Sequence, residues 1–274
     1  MLAFAANSVL CRLALGQGLI DAASFASLRV ISGAVVLGLI LLSRSGRAWA
    51  APAWRSVITL FIYMAFFSFA YLSLAAGTGA LVLFGAVQLT MFTVALRSGE
   101  QFSMLSWAGL SLAIAGLVYL VSPGLTAPDP LGAVLMAIAG IAWGFYSLSG
   151  RAVADPVGAT AWNFIYSVPL VIVTSSFFIS DLRVSMLGAA LAIMSGAIAS
   201  GIGYVIWYAA LRGLRATTAA TVQLSAPIIA AFGGVVLLSE EVTMRLLLAS
   251  AATLGGVALV LSQRVDRGSN RDRA

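Results

Sequence analysis

The sequence predicts an all-α integral membrane protein of ten transmembrane helices, folded as two inverted five-helix repeats with the N- and C-termini cytoplasmic. Three observations carry this expectation. The 274 residues are 61% hydrophobic and 9% charged, with a mean hydropathy of +1.05. A soluble domain carries about 25% charged residues to face water, so most of this surface must face lipid. The arginines alternate along the chain between successive apolar runs. The two halves of the chain match each other in sequence.

A spanning helix needs about 20 apolar residues. Such runs lie at 1–15, 24–42, 56–76, 79–96, 104–121, 131–150, 160–179, 186–211, 217–238 and 243–262. The first is short, rising only about 22 Å. Either that helix is thinly anchored or a leader precedes it. It lacks a basic opening and carries Asn7 and Arg12, so it does not read as a signal peptide. The connections are short and polar, as at Arg44 to Trp54, Arg97 to Ser103, Ser122 to Pro130 and Arg151 to Thr160. The single Cys11 lies in an apolar run and allows no intramolecular disulfide. The segments divide into a first repeat over 1–122, a second, inverted repeat over 131–263 and a disordered basic cytoplasmic tail over 264–274.

All 15 basic residues are Arg, and the formal net charge is +6. Their placement favours membrane topology over nucleic-acid binding. With the N-terminus inside, the inner segments hold eleven: Arg44, Arg47, Arg55, Arg97, Arg151, Arg212, Arg215, Arg264, Arg267, Arg271 and Arg273. The outer loops hold Arg183 and Arg245. Arg12 and Arg29 fall within helices near their outer ends, where they can snorkel as anchors. Excess arginine on one side places both termini in the cytoplasm.

Val87-Gln88-Leu89 in the fourth run matches Val222-Gln223-Leu224 in the ninth. Tyr71 and Leu74 match Tyr208 and Leu211. Glu100 to Met104 matches Glu240 to Met244, and Gly116 and Ser122 then pair with Gly256 and Ser262 without a gap. Five helices per half is an odd number, so the second half must be inverted. Inverted repeats are typical of secondary transporters, whose sites lie near the midplane at the repeat interface.

Intramembrane polar groups are costly and usually face a cavity or another helix. No Asp, Glu, Lys or His lies near a helix centre. That removes the bases, metal ligands and paired carboxylates that membrane-embedded hydrolases require, so neither catalysis nor a cofactor or metal is expected. What remains is aromatic and neutral polar. The substrate-binding candidates are Asn7, Tyr63, Gln88, Trp143, Tyr146, Asn163, Tyr166, Tyr204 and Gln223. For the tyrosines and Trp143, cavity lining and plain packing both stay open. Gln88 and Gln223, at matched repeat positions, either face each other across the pseudo-two-fold axis or make interhelical bonds. Trp162, Trp207, Tyr208 and Tyr71 lie near helix ends and read as an aromatic belt. Gly140 and Gly144 read as a helix contact surface. Glu100 and Glu240 read as caps of the fifth and tenth helices. With no deep Lys or Arg, multi-anionic cargo is disfavoured; with no deep carboxylate, so are cations. A neutral or zwitterionic solute with an apolar body fits best.

Several residue patterns resemble the EamA-type branch of the drug/metabolite transporter superfamily. They are Leu28-Arg29, Glu100 with Ser103, Leu224-Ser225-Ala226-Pro227 and Ser239-Glu240-Glu241-Val242-Thr243. Gly85 to Met91 is similar in particular to the YddG-like aromatic amino-acid exporters, although Phe92 stands where the ninth helix has Pro227. The resemblance implies an exporter of amino acids, aromatic ones preferred, in the bacterial inner membrane. Its partners would be the bilayer and a small-molecule substrate, with no nucleic acid. A broad lipophilic-drug or metabolite exporter, and a scaffold or channel that does not carry, are the rival readings.

Overall fold

A computed structural model describes residues 1–44, 51–99, 102–124, 127–150, 153–211 and 222–271, with backbone alone at 211 and 263–271. Among the described residues the regular structure is helical, apart from one antiparallel bridge between Ile20 and Val184. The helices are α1 (Leu2–Gly16), α2 (Ala22–Ser43), α3 (Trp54–Ala70), α4 (Ala76–Arg97), α5 (Met104–Val121), α6 (Pro130–Gly150) and α7 (Pro156–Ser176). A continuous α8 follows in three pieces, Met186–Ile193, a π-helical Met194–Ile202 and Gly203–Leu211. The last two are α9 (Ser225–Leu238) and α10 (Met244–Arg271). Seven of these are long and apolar enough to cross a membrane, and α1, α3 and α9 are shorter apolar helices. The protein is a multi-pass membrane protein.

Helix starts follow local chemistry. Asp21, Ser103, Asp129, Ser185 and Thr243 each accept a hydrogen bond from a backbone N–H three residues on, at 2.6–3.1 Å. Such side chains satisfy donors that the first helical turn leaves unpaired. Pro156, whose φ is already helical, starts α7 four residues ahead of the expected 160. The third and fourth runs divide earlier than their hydropathy suggests. α3 ends at Ala70 and α4 begins at Ala76, because Ala76 N–H is bonded at 2.8 Å by Glu240 from the far end of the chain. Glu240 therefore caps α4, not the tenth helix as its position suggests; Thr243 caps that one. Glu100 and residues 217–221 of the expected ninth run lie outside the described residues. The backbone of α10 is helical as far as Arg271, where a disordered tail is expected from 264.

The main helix contacts are α2 with α7, α4 with α9, α5 with α10, α3 with α6, α1 with α8, α4 with α6, α1 with α9, α3 with α7 and α2 with α8. Small residues permit several of them. A Cβ at Gly140 would meet Leu83 O at 2.5 Å and Ala86 Cβ at 2.7 Å, so the Gly140/Gly144 face is a contact surface of α6 on α4. Gly116 and Gly256, matched in the repeat, both lie in the α5–α10 contact, where added Cβ atoms would meet Thr253 and Ala113.

Alternate connections gather at opposite ends of the bundle. The α1–α2 and α7–α8 turns join through Asp21 N–H to Arg183 O at 2.9 Å and Ser185 N–H to Leu19 O at 2.8 Å. The α3–α4 and α5–α6 turns join through Ser73 and Asp129 at 3.0 Å. Arg245, early in α10, donates to Ser122 O at 2.6 Å and so satisfies a carbonyl at the end of α5. At the other end, Arg44 after α2 pairs with Asp155 before α7 at 3.0 Å.

Candidate functional site

The bundle centre holds a buried polar chain that starts on α1. Asn7 Oδ1 accepts from Ser195 Oγ at 2.7 Å and from Ser200 Oγ at 3.3 Å, both on α8. These serines are five residues apart. In an α-helix that spacing turns them about 140° away from each other. The π-helical stretch, bonded i to i+5, brings both round to one face.

Ser200 Oγ also accepts from Arg29 Nε at 3.1 Å. Arg29 Nη2 donates to Tyr63 OH at 3.0 Å and to Tyr204 OH at 3.5 Å, and Tyr204 OH donates to Tyr63 OH at 3.2 Å. The guanidinium carbon lies 5.3 Å from the Tyr63 ring centre and 4.7 Å from that of Phe67, within the range of cation–π attraction. Arg29 is 0% exposed. It is therefore not the snorkelling anchor that its position near a helix end suggests. It is a deep cation, and the expectation that no Arg lies deep is corrected.

Aromatic rings wall this chain. Trp143 of α6 lies 4.8 Å from both Tyr63 and Tyr204. Phe4 of α1 meets Trp143, Tyr204 and Trp207 edge-on at 5.6–5.8 Å. Among the described residues, three donors here have no hydrogen-bond partner: Asn7 Nδ2, Arg29 Nη1 and Trp207 Nε1. Trp207, Tyr208 and Tyr71 are all buried. They are core residues, and of the four expected belt positions only Trp162 is part-exposed.

The structure thus brings together Asn7, Tyr63, Trp143 and Tyr204. It places Tyr146 and Asn163 one step away, on a cavity of about 110 Å³ that Tyr208, Trp162 and Thr160 also line. Trp143 and Tyr146 connect the two regions, with ring centres 5.6 Å apart. Val153 and Pro156 sit at the cavity edge beside the Arg44–Asp155 pair. Burial raises the Asp155 carboxyl, but the Arg44 hydrogen bond and charge together with the backbone N–H groups of Gly158 and Val157 outweigh it and hold that group below the usual carboxylate range. Tyr166 stacks at 5.7 Å on Trp162 of the cavity lining and lies 6.3 Å from the exposed Trp54. Gln88 and Gln223 are buried on α4 and just before α9. Among the described residues, Gln88 Nε2 and Gln223 Oε1 have no hydrogen-bond partner, so no bond joins these two atoms.

Chemically, this arrangement offers buried hydrogen-bond donors beside apolar ring walls. The profile of the EamA-like transporter family matches residues 130–262. The chain is 47% identical to the uncharacterized protein PA1977 of Pseudomonas aeruginosa over 270 residues, 98% of this chain and 94% of that one. The chain belongs to the EamA-like transporter family. Two further relatives of this EamA-like protein carry transporter names. The uncharacterized inner membrane transporter YedA of Escherichia coli K12 is 33% identical over 82 residues, 30% of this chain and 27% of YedA. An uncharacterized transporter of Archaeoglobus fulgidus is 23% identical over 212 residues, 74% of each chain. A solved crystal structure shares the fold at 21% identity, with a TM-score of 0.68, covering 94% of this chain and 96% of that one. The EamA-like protein is a membrane transporter.

Arg29, Ser195 and Ser200 are missing from the sequence-derived candidates. For Arg29 a signal existed, since an ionisable residue inside an apolar run is by default a functional candidate. For Ser195 none did, because its alignment with Ser200 depends on the π-helical turn.

Proposed function

We propose that this EamA-like protein is a secondary transporter of the bacterial inner membrane that exports small zwitterionic metabolites, most of all amino acids with aromatic side chains. One observation carries the reading. The polar chain Asn7–Ser200–Arg29–Tyr204–Tyr63 joins α1, α2 and α3 to α8, so the buried hydrogen-bonding groups lie on the seam between the first five helices and the last five. That seam is where inverted-repeat carriers bind. Trp143, Phe4 and Phe67 supply apolar walls for a solute body.

The architecture that this function needs is ten helices in two inverted repeats, with both termini cytoplasmic. Helix contacts support it. Advancing each helix number by five, and wrapping round, exchanges α3–α6 with α8–α1, α4–α6 with α9–α1, and α3–α7 with α8–α2, while α2–α7, α4–α9 and α5–α10 map onto themselves. The end that carries Arg183 and Arg245 is then external, and the Arg44–Asp155 end internal. YedA's name as an inner membrane transporter supports the location.

A second reading has its own observation. α4, α5 and α6 enclose a groove of about 630 Å³ lined by Val82, Ala86, Leu89, Leu117, Val134 and Phe145, with Arg97 at one rim. Such an apolar groove suits a lipophilic drug or metabolite. Proteoliposome counterflow with labelled amino acids separates these possibilities. Saturable flux that unlabelled phenylalanine or tryptophan competes away is expected. Flux that never saturates would indicate a channel, no flux a scaffold, and competition by neutral lipophilic compounds alone the second reading.

A further inference from the structure

We propose that Arg29 is the specificity-determining group of this carrier and that it holds the carboxylate of the transported solute; this rests on the transport reading above and adds the solute's anionic end. The argument starts from the charge. A guanidinium stays protonated throughout the physiological range and offers five N–H donors. Burying such a cation without an anionic partner is costly. Among the described residues no carboxylate pairs with Arg29; the ion pairs are Arg12–Glu240 and Arg44–Asp155. Its contacts are neutral hydroxyls of Tyr63, Tyr204 and Ser200 and two ring faces. These use Nε and Nη2 and leave Nη1 without a partner.

The surroundings have the same polarity. Ser200 accepts from Arg29 and donates to Asn7 Oδ1, so Asn7 turns its own donor, Nδ2, away from the serines and leaves it unpaired. Among the described residues, two buried donors linked through one serine both lack an acceptor. Buried donors without acceptors are rare and expensive. A carboxylate only accepts, neutralises the cation and matches the planar guanidinium fork. An amine answers none of these needs and is repelled by the charge. Phe67, under the guanidinium, and Trp143, against Tyr63 and Tyr204, offer an apolar wall beside the anchored group. The class of solute is therefore a monocarboxylate with an apolar body. An amino group is tolerated but is not what the site selects.

The test uses three probes of similar body on the purified full-length protein: L-phenylalanine, 3-phenylpropionate, which lacks the amine, and phenethylamine, which lacks the carboxylate. Binding is read by ligand-induced thermal shift, and transport in proteoliposomes. Wild type is expected to bind both acids and to reject the amine. Arg29→Met should bind the acids about tenfold or more weakly, and Arg29→Lys should keep the preference for acid over amine. Equal binding of 3-phenylpropionate and phenethylamine by wild type, or no binding of any probe, would overturn the anchor. So would unchanged acid affinity in Arg29→Met. If Arg29→Met does not fold, the acid-over-amine preference of wild type and Arg29→Lys decides. Arg29-dependent binding of 3-phenylpropionate without any flux of phenylalanine would sustain the anchor and refute amino-acid export alone.

Discussion

Across 228 residues of chain, the guanidinium of Arg12 and the carboxylate of Glu240 meet at 3.2 Å. The same carboxylate accepts from Ala76 N–H at 2.8 Å through its second oxygen, and Arg12 donates onward to Tyr71 O and Leu72 O at 3.3 Å. One pair thus ties the end of α1, the α3–α4 turn and the α9–α10 turn together at one end of the bundle. Glu240→Ala removes both the helix cap and the ion pair. The pair is part-exposed, so most of the loss comes from the cap, about 1–2 kcal/mol. Glu240→Gln can still accept from Ala76 and should lose less. Thermal unfolding in detergent checks the order, wild type above Gln above Ala; an Ala variant as stable as wild type would contradict it.

Gly196 lies in the π-helical stretch where α8 crosses α2. A Cβ there would run into Arg29 O and Ser32 Oγ. Gly196→Ala should therefore force α2 and α8 apart at the candidate site, costing about 1–3 kcal/mol by overpacking and lowering flux. Gly38→Ala, on α2 with open space around it, is the control and should leave stability and flux unchanged. Equal behaviour of the two variants would show that the crossing is not tight.

Gln88 and Gln223 each carry a buried amide atom without a partner. Changing either to Ala removes an unsatisfied group, so folding should survive, whereas transport should fall if the matched amides meet the solute. Flux near wild type in both variants, at normal expression, would return them to packing.

Topology is checked by reporters. One fused after Ala274 and one placed within Ser43–Ala53 should report the cytoplasm, and one within Ser122–Pro130 the exterior. The last two reporting the same side would defeat the inverted ten-helix arrangement.

Energy coupling follows from the ionisable groups. A proton-driven carrier usually needs a group that titrates inside the membrane and sees each side in turn. Arg29 does not deprotonate in the physiological range, and Glu240 lies at one end of the bundle, bonded to Arg12 and Ala76. Transport is therefore expected to run down the solute gradient without a proton requirement. Proteoliposomes with equal solute on both sides and an imposed pH gradient should show no net accumulation. Accumulation would point back to Glu240 and Glu100.

The sequence by itself determined the class of molecule, the approximate spans and the matched segments of its two halves. These properties are local or additive: hydropathy sums along a run, and matched segments are compared residue by residue. Only the tertiary structure decided the surroundings of the candidate residues. Arg29 looks like a snorkelling anchor because its neighbours in sequence are apolar and a helix end is near. Its desolvation is set instead by Tyr63, Phe67, Ser200 and Tyr204, which arrive from α3 and α8. Ser195 and Ser200 share a face only because one stretch of α8 winds as a π-helix. Glu240 caps a helix 164 residues away, a pairing that no local pattern records. A cation's burial, a helix's winding and a cap's origin all depend on what packs alongside, and packing joins residues that sequence keeps far apart.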